Sequence, residues 1–155
     1  MTNYGIGFKY RDLSSLEQEA RLALIERVIK EKRQLSVEEA IDTCGGKELF
    51  QVLKDKNIFA FMDEKVTFLY PVSAVPTNHH VKLADGRDFF SMCAVDALGV
   101  SSMFHLDVEI NSICSESGDE VYVKVSRDEI LEYSPKTLSV LHVDLTKESN
   151  WASEC

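Results

Sequence analysis

The chain has no run of apolar residues longer than a few, and a helix that crosses a bilayer needs about 20. No membrane-spanning helix is therefore expected. Its N-terminus, MTNYGIGFKYRDL, lacks the apolar core and small-residue cleavage site of a secretory leader, so a cytoplasmic protein is expected. No CxxC pair occurs, which leaves a zinc ribbon or a thioredoxin-like redox site without support. The segment from Tyr4 to Tyr10 carries two glycines but no phosphate-loop pattern, and a nucleotide role is not assigned to it. There is no internal repeat and no low-complexity segment. Basic charge is also in deficit. Residues 1–60 hold ten Lys/Arg and ten Asp/Glu, whereas residues 61–155 hold seven and sixteen, which places the whole net charge of −9 in the second part. Phosphate binding rests on clustered basic charge, so a nucleic-acid partner is not expected.

What is present suits one domain of ordinary size or two small modules. Hydrophobic residues at 45% and charged ones at 28% are the mixture of a globular chain rather than a disordered one. The four cysteines, Cys44, Cys93, Cys114 and Cys155, stand in a chain with no export signal. A disulfide framework is thus disfavoured, and thiols that bind metal or act in catalysis carry more weight.

Helical spacing predicts a first helix over residues 15–33, with Leu16, Ala20, Ala23, Leu24, Val28 and Ile29 as its apolar side and Ser14 or Ser15 as its cap. A second helix begins after Ser36 and stops at Cys44-Gly45-Gly46. A third covers about 47–56. Two extended runs, 58–62 and 65–70, are joined by Asp63-Glu64. Three helices and a hairpin in this order suggest a winged-helix-like module over residues 1–70. Its third helix mixes Lys47, Lys54 and Lys56 with Glu48 and Asp55, so a structural or partner-facing role is expected for the module rather than DNA reading.

A linker between Pro71 and Pro76 introduces a different pattern over residues 71–155. Strands are expected at 80–84 and 87–90 around an Asp85-Gly86 turn, and a helix at 91–103. A second hairpin, 106–114 with 120–125, crosses Ser117-Gly118-Asp119, and a last strand at about 138–145 follows Ser134-Pro135. The fold class is α+β: an N-terminal three-helix winged-helix-like module followed by a mostly antiparallel β half with one central helix.

The stretch that carries chemistry runs from Gly86 to Gly99. Cys93 and Asp96 are three residues apart on the expected helix, so their side chains are neighbours on one face. Cys93 falls in the first turn, where the helix dipole favours a thiolate. Asp96 opposes it, and the pair tends to keep one proton between its members. The same two residues also have ordinary readings, a small core cysteine and an acid placed for the dipole. Spacing alone leaves both readings open.

The segment FFSMCAVDALG, with the strand and turn before it, resembles the catalytic helix of the organomercurial (alkylmercury) lyases. Cys114, 21 residues after Cys93, and Cys155, 62 residues after it, stand close to where that family has a structural cysteine and a second catalytic thiol. The resemblance implies that Cys93 and Cys155 bind mercury and that Asp96, beside the metal, carries a proton to the departing carbanion. Soft thiolates suit a soft cation, and an acid is needed as the carbon–mercury bond breaks. It implies no organic cofactor, an organomercurial substrate, and Hg(II) as a protein-bound product handed to small cytosolic thiols or a mercuric reductase. Cys114 would shape the core. The family continues past its second catalytic cysteine with an apolar strand and a terminal helix, so the resemblance also implies either a chain truncated at its C-terminus or a relative that has lost part of the active site.

Two readings without bond cleavage compete: a soft-metal (Hg or Cu) thiolate-binding or chaperone protein, and a winged-helix regulator that senses metal. His79 and His80 are adjacent on a strand and face opposite sides, so a shared metal is not expected. His105 and His142 are read as structural, Cys44 as a packing residue before a helix stop, and Trp151 as an anchor for the tail.

Overall fold

The structure is a computed structural model that describes residues 12–127 and 129–141. These fall into two compact units that divide between Leu69 and Tyr70.

In the first unit, helix α1 (Ser15–Glu31) starts at a capping box: Ser14 accepts from the Glu17 amide, and the Glu17 side chain accepts from the Ser14 amide. It ends at Glu31, two residues before the expected 33, with Lys32 as its C-cap in the left-handed region at φ 52°. Helix α2 (Val37–Cys44) repeats the device with Ser36 and Glu39 and stops at Gly45, φ 85°, where a residue without Cβ is favoured. Helix α3 (Lys47–Asp55) follows directly. Glu39 also pairs with Arg33 and Arg27, and Arg33 together with the Ser36 amide lowers its carboxyl to about 2. The inward face of α1 is Ala20, Leu24, Ile25, Val28 and Ile29. Leu16, at 62% exposure, and Ala23 face outward instead, while Ile25 joins the inward face.

Strands β1 (Ala60–Met62) and β2 (Lys65–Leu69) form the expected hairpin. Asp63 and Glu64 both have positive φ, 51° and 61°, as the tight turn matching strand twist requires. Phe50, Phe59 and Phe61 stack and meet edge-on at 5.2–6.5 Å between ring centres. A bridge between Leu35 and Val66 ties the helices to the hairpin.

The second unit is a helix on an antiparallel sheet. Its strands are β3 (Val72–Ser73), β4 (His79–Leu83), β5 (Asp88–Ser91), β6 (Val108–Ile113), β7 (Glu120–Ser126) and β8 (Glu129–Ser134), in the spatial order β3-β5-β4-β6-β7-β8. Helix α4 (Ala94–Phe104) links β5 to β6 across β4 and packs on β4 to β7. Cross-strand rows build the covered face: Phe89, Val81, Ile110 and Val123 form one, and Leu83, Val108 and Val125 the next. Phe104 of α4 lies 5.8 Å from the Phe89 ring, which identifies the face that α4 covers. At Gly99 an added Cβ would stand 3.0 Å from the Tyr70 hydroxyl, so glycine in mid-helix lets that ring approach.

The α+β class holds, with two corrections to its elements. The last strand lies at 129–134, before Ser134-Pro135; residues 135–141 form no strand, and 142–145 are outside the described residues. Every β8 residue is exposed, so it lacks the alternation that marks a half-buried strand, while the apolar spacing after Pro135 imitates one. The central helix begins at residue 94 rather than 91, because Ser91 pairs with Val72 and His79 in the sheet.

Ile110, 3% exposed at the centre of the covered face, gives a direct test of this packing. Ile110→Ala should cost about 2–5 kcal/mol, read as a lower urea midpoint at unchanged slope.

Candidate active site

The junction between β5 and α4 positions the two residues singled out by the sequence. Cys93 is the N-cap of α4 rather than a first-turn residue, with extended backbone angles (φ −143°, ψ 175°) and no side-chain cap hydrogen bond. N-caps are ordinarily serine, threonine, asparagine or aspartate. A cysteine here gives up that bond and leaves its sulfur at the positive end of the helix. The thiol is buried, at 9% exposure.

Asp96 occupies the third position of α4. An acid there usually folds back on the N-cap amide in a solvated capping box, as Glu17 and Glu39 do. Asp96 instead is fully buried. Neither of its oxygens reaches a partner at ordinary hydrogen-bond geometry, so Cys93 acts on it as a close neighbour. Burial first, and then the charge and hydrogen-bonding demand of the Cys93 thiol, raise the carboxyl to about 8; the Cys93 amide opposes this more weakly. At neutral pH the group is a carboxylic acid. The sequence pointed to a proton kept by the pair, and the structure adds that desolvation is the larger cause.

Around this pair the covered face of the sheet turns polar. The row next to Phe89 and Val81 is Ser91, His79 and Ser112. Ser91 is fully buried, and its hydroxyl has no hydrogen-bond partner among the described residues. His79 Nδ1 lies 2.8 Å from Ser112 Oγ, and burial lowers its pKa. Thr77 locks the row: its hydroxyl donates to the Ser91 carbonyl at 2.5 Å and accepts from the His79 amide at 3.1 Å. His80 points to the other face, 3.0 Å from Asp88 and against Phe90. The sequence separated the two histidines correctly but did not set His79 in one row with Ser91 and Ser112. The signal was available, since His79 shares the alternation of Val81 and Leu83, and the Asp85-Gly86 turn sets Ser91 opposite it.

The other cysteines do not join the site among the described residues. Cys44 is buried, 5% exposed, and its thiol is pushed up to about 11 by desolvation, as suits a packing residue. Cys114 is half-exposed at the β6–β7 turn, which corrects the expectation that it shapes the core. Hydrogen bonds from Ser117 and the Glu116 amide lower its pKa. His105 is exposed and caps the end of α4 in the left-handed region. Cys155, His142, Trp151 and the segment from Tyr4 to Tyr10 lie outside the described residues. No cluster of three or more His, Cys, Asp or Glu able to hold a metal occurs among the described residues.

Comparison with known proteins bears on this geometry. The family profile "MerB: Alkylmercury lyase" matches residues 72–155, a stretch that includes Cys93, Asp96, Cys114 and Cys155. The chain is 30% identical over 69 residues to proteins named alkylmercury lyase from Bacillus cereus and Clostridium butyricum, covering 44% of this chain and 31% of each relative. A third, from Staphylococcus epidermidis, is 31% identical over 71 residues, covering 46% and 32%. The matched stretch thus spans about a third of the curated relatives' length. The solved structure of the mercury-bound form of MerB2 superposes with a TM-score of 0.58 at 20% identity, covering 84% of this chain and 65% of that one. This shows a shared fold.

The buried acid has a measurable consequence. Because Asp96 holds its proton to about pH 8 in the folded protein but only to 3.8 as a free side chain, the unfolded state binds fewer protons between these values. Stability should therefore fall as pH rises from about 4 to 8 and level off above. Asp96→Asn removes the ionisation and should flatten this dependence. Urea unfolding at pH 5 and pH 8 should show the variant's relative advantage growing with pH.

Proposed function

This chain belongs to the alkylmercury lyase family through residues 72–155, and we propose from that premise that it cleaves carbon–mercury bonds by protonolysis. The observation that carries the reading is the fully buried Asp96 carboxyl, its pKa raised to about 8 by burial, three residues from the Cys93 thiol. In this reading Cys93, helped by the helix terminus, and Cys155 hold the organomercurial as thiolates. Asp96 donates its proton to the carbon as that bond breaks. The bonding pair of the carbon–mercury bond becomes the new carbon–hydrogen bond, the hydrocarbon leaves, and Hg(II) stays on the two sulfurs beside the Asp96 carboxylate. Small thiols, or a mercuric reductase, then take the metal. The reaction calls for no organic cofactor, and the reducing cytoplasm suits its thiols. No helix among the described residues is long and apolar enough to cross a membrane.

A thiolate-binding carrier needs only the sulfurs. A carboxyl kept neutral by burial has no use in it, and destabilises the fold as the pH rises, which favours the lyase. The first unit, with its evenly balanced charge, is in this reading a winged-helix-like structural or partner-facing element.

Incubation with phenylmercury and excess thiol should release benzene. Cys93→Ala should abolish turnover, and Asp96→Ala should lower it by about 100-fold or more while mercury still binds. Single-turnover benzene release should fall as pH rises through about 8, where Asp96 loses its proton. Absence of benzene from the natural protein, or normal rates from both variants, would refute the assignment.

A further inference from the structure

The apolar face of the second unit runs on past its helix. Helix α4 packs on β4 to β7. Strand β8 is the last in the sheet among the described residues, so the outer half of its backbone donors and acceptors meets no further strand there. Ile130 stands opposite Val125 and Tyr133 opposite Val123, which makes them the outermost members of the two apolar rows on the face that α4 covers. Yet Ile130 is 56% exposed, and Tyr133, whose ring carries Lys136 Nζ at 4.3 Å, is 38% exposed. Edge strands are ordinarily kept single by bulges and charges. Strand β8 has both: Leu131 is the extra residue where the register slips between Lys124 and Val125, and Glu129 and Glu132 are acidic. The glutamates, however, stand opposite Ser126 and Lys124, on the other face, and leave the apolar margin unguarded.

We propose that β8 is a self-association edge, pairing antiparallel with the β8 of a second copy of this chain across a two-fold axis. The inference is independent of the lyase reading. The side chains set the register. With Ile130 opposite Tyr133 of the second copy, Glu129 falls opposite its Ser134, and the axis passes between Leu131 and Glu132. The two strands then overlap over their full length, Glu129–Ser134. Each face meets its like: a β-branched side chain against an aromatic one on the α4 side, and glutamate against serine on the other. No two like charges stand directly opposite within the strand. One step either way sets Ile130 against Glu132 of the second copy, or the two Glu132 side chains against each other. A two-fold contact is closed: the sheets join into one, both α4 helices lie on the same side, and Ile130 and Tyr133 of the two copies lie in the strip between them. The one like-charge approach that remains is that of the two Glu132 carboxylates beside the axis, each opposite Lys124 across its own strand pair.

Sedimentation velocity of the full chain from about 2 to 200 µM, a range suited to a small interface, should show a species that grows to the mass of two chains and no further. Ile130→Lys sets a charge in the apolar strip and should weaken association by about tenfold or more. Glu132→Gln removes the approach at the axis and should tighten it by about threefold. Both residues are exposed in the single chain, so at the lowest concentration both variants should keep the wild-type urea midpoint. The register is read by mixing Ile130→Cys chains with Tyr133→Cys chains, oxidising them and mapping the linked peptides. Opposed residues bring their Cβ atoms within about 5 Å, so a disulfide between position 130 of one copy and 133 of the other should form, and neither variant should link to itself at those positions. A single chain at every concentration, as expected if another segment of this chain occupies the edge, would overturn the proposal. So would assemblies larger than two, a dimer indifferent to Ile130→Lys, or 130–130 links in place of 130–133.

Discussion

The burial of one carboxyl group governs the chemistry this fold can perform. A carboxylate removed from water without a compensating cation or hydrogen-bond network costs several kcal/mol, and proteins usually answer by protonating it. Asp96 is in that position. It sits at the third residue of a helix, where its counterparts Glu17 and Glu39 remain solvated and hydrogen-bonded. The difference is the sheet beneath it. Helix α4 crosses over β4 to join β5 to β6 and packs on the sheet, and the acid on its first turn is left with no exposure to solvent. The N-cap cysteine completes the arrangement by setting a second ionisable group beside the first, and each makes the other harder to ionise.

The rest of the second unit serves this placement. The rows of Phe89, Val81, Ile110 and Val123, and of Leu83, Val108 and Val125, give α4 an apolar bed along most of its length. Only the last row changes character, to Ser91, His79 and Ser112, and Ser91 stands two residues before the N-cap of the helix. Apolar packing thus fixes the helix, while the row of Ser91, His79 and Ser112 leaves polar side chains at that end of the sheet. The first unit reaches stability by local means, with two serine–glutamate capping boxes, an arginine–glutamate network around Glu39 and a phenylalanine cluster.

Much of this was legible in the sequence because its signals are local. The serine caps, the Gly45 stop, the Asp85-Gly86 turn and the paired runs around it depend on neighbouring residues. The Cys93–Asp96 spacing needed only helical periodicity. What escaped depended on partners distant in the chain. Ser91 reads as helical by composition but is held in the sheet by Val72 and His79. Strand β8 is exposed throughout, so it carries no pattern, and the apolar residues after Pro135 took its place in the reading. Leu16 and Ala23 fit a helical stripe, yet the face that meets the core is the one through Ile25. His79 reads as a strand residue, but its place directly opposite Ser91 follows only from combining strand alternation with hairpin register. The extent of Asp96's burial, which sets its proton affinity, has no sequence signal at all.

The central claim is that Asp96 is a neutral acid beside Cys93 at physiological pH. The carboxyl carbon of Asp96, selectively labelled with carbon-13 and assigned by comparison with Asp96→Asn, reports its protonation directly. The account predicts that this resonance keeps the shift of a carboxylic acid through neutral pH and titrates near 8. A midpoint close to the ordinary aspartate value of about 3.9 would show a carboxylate already ionised, and would contradict it.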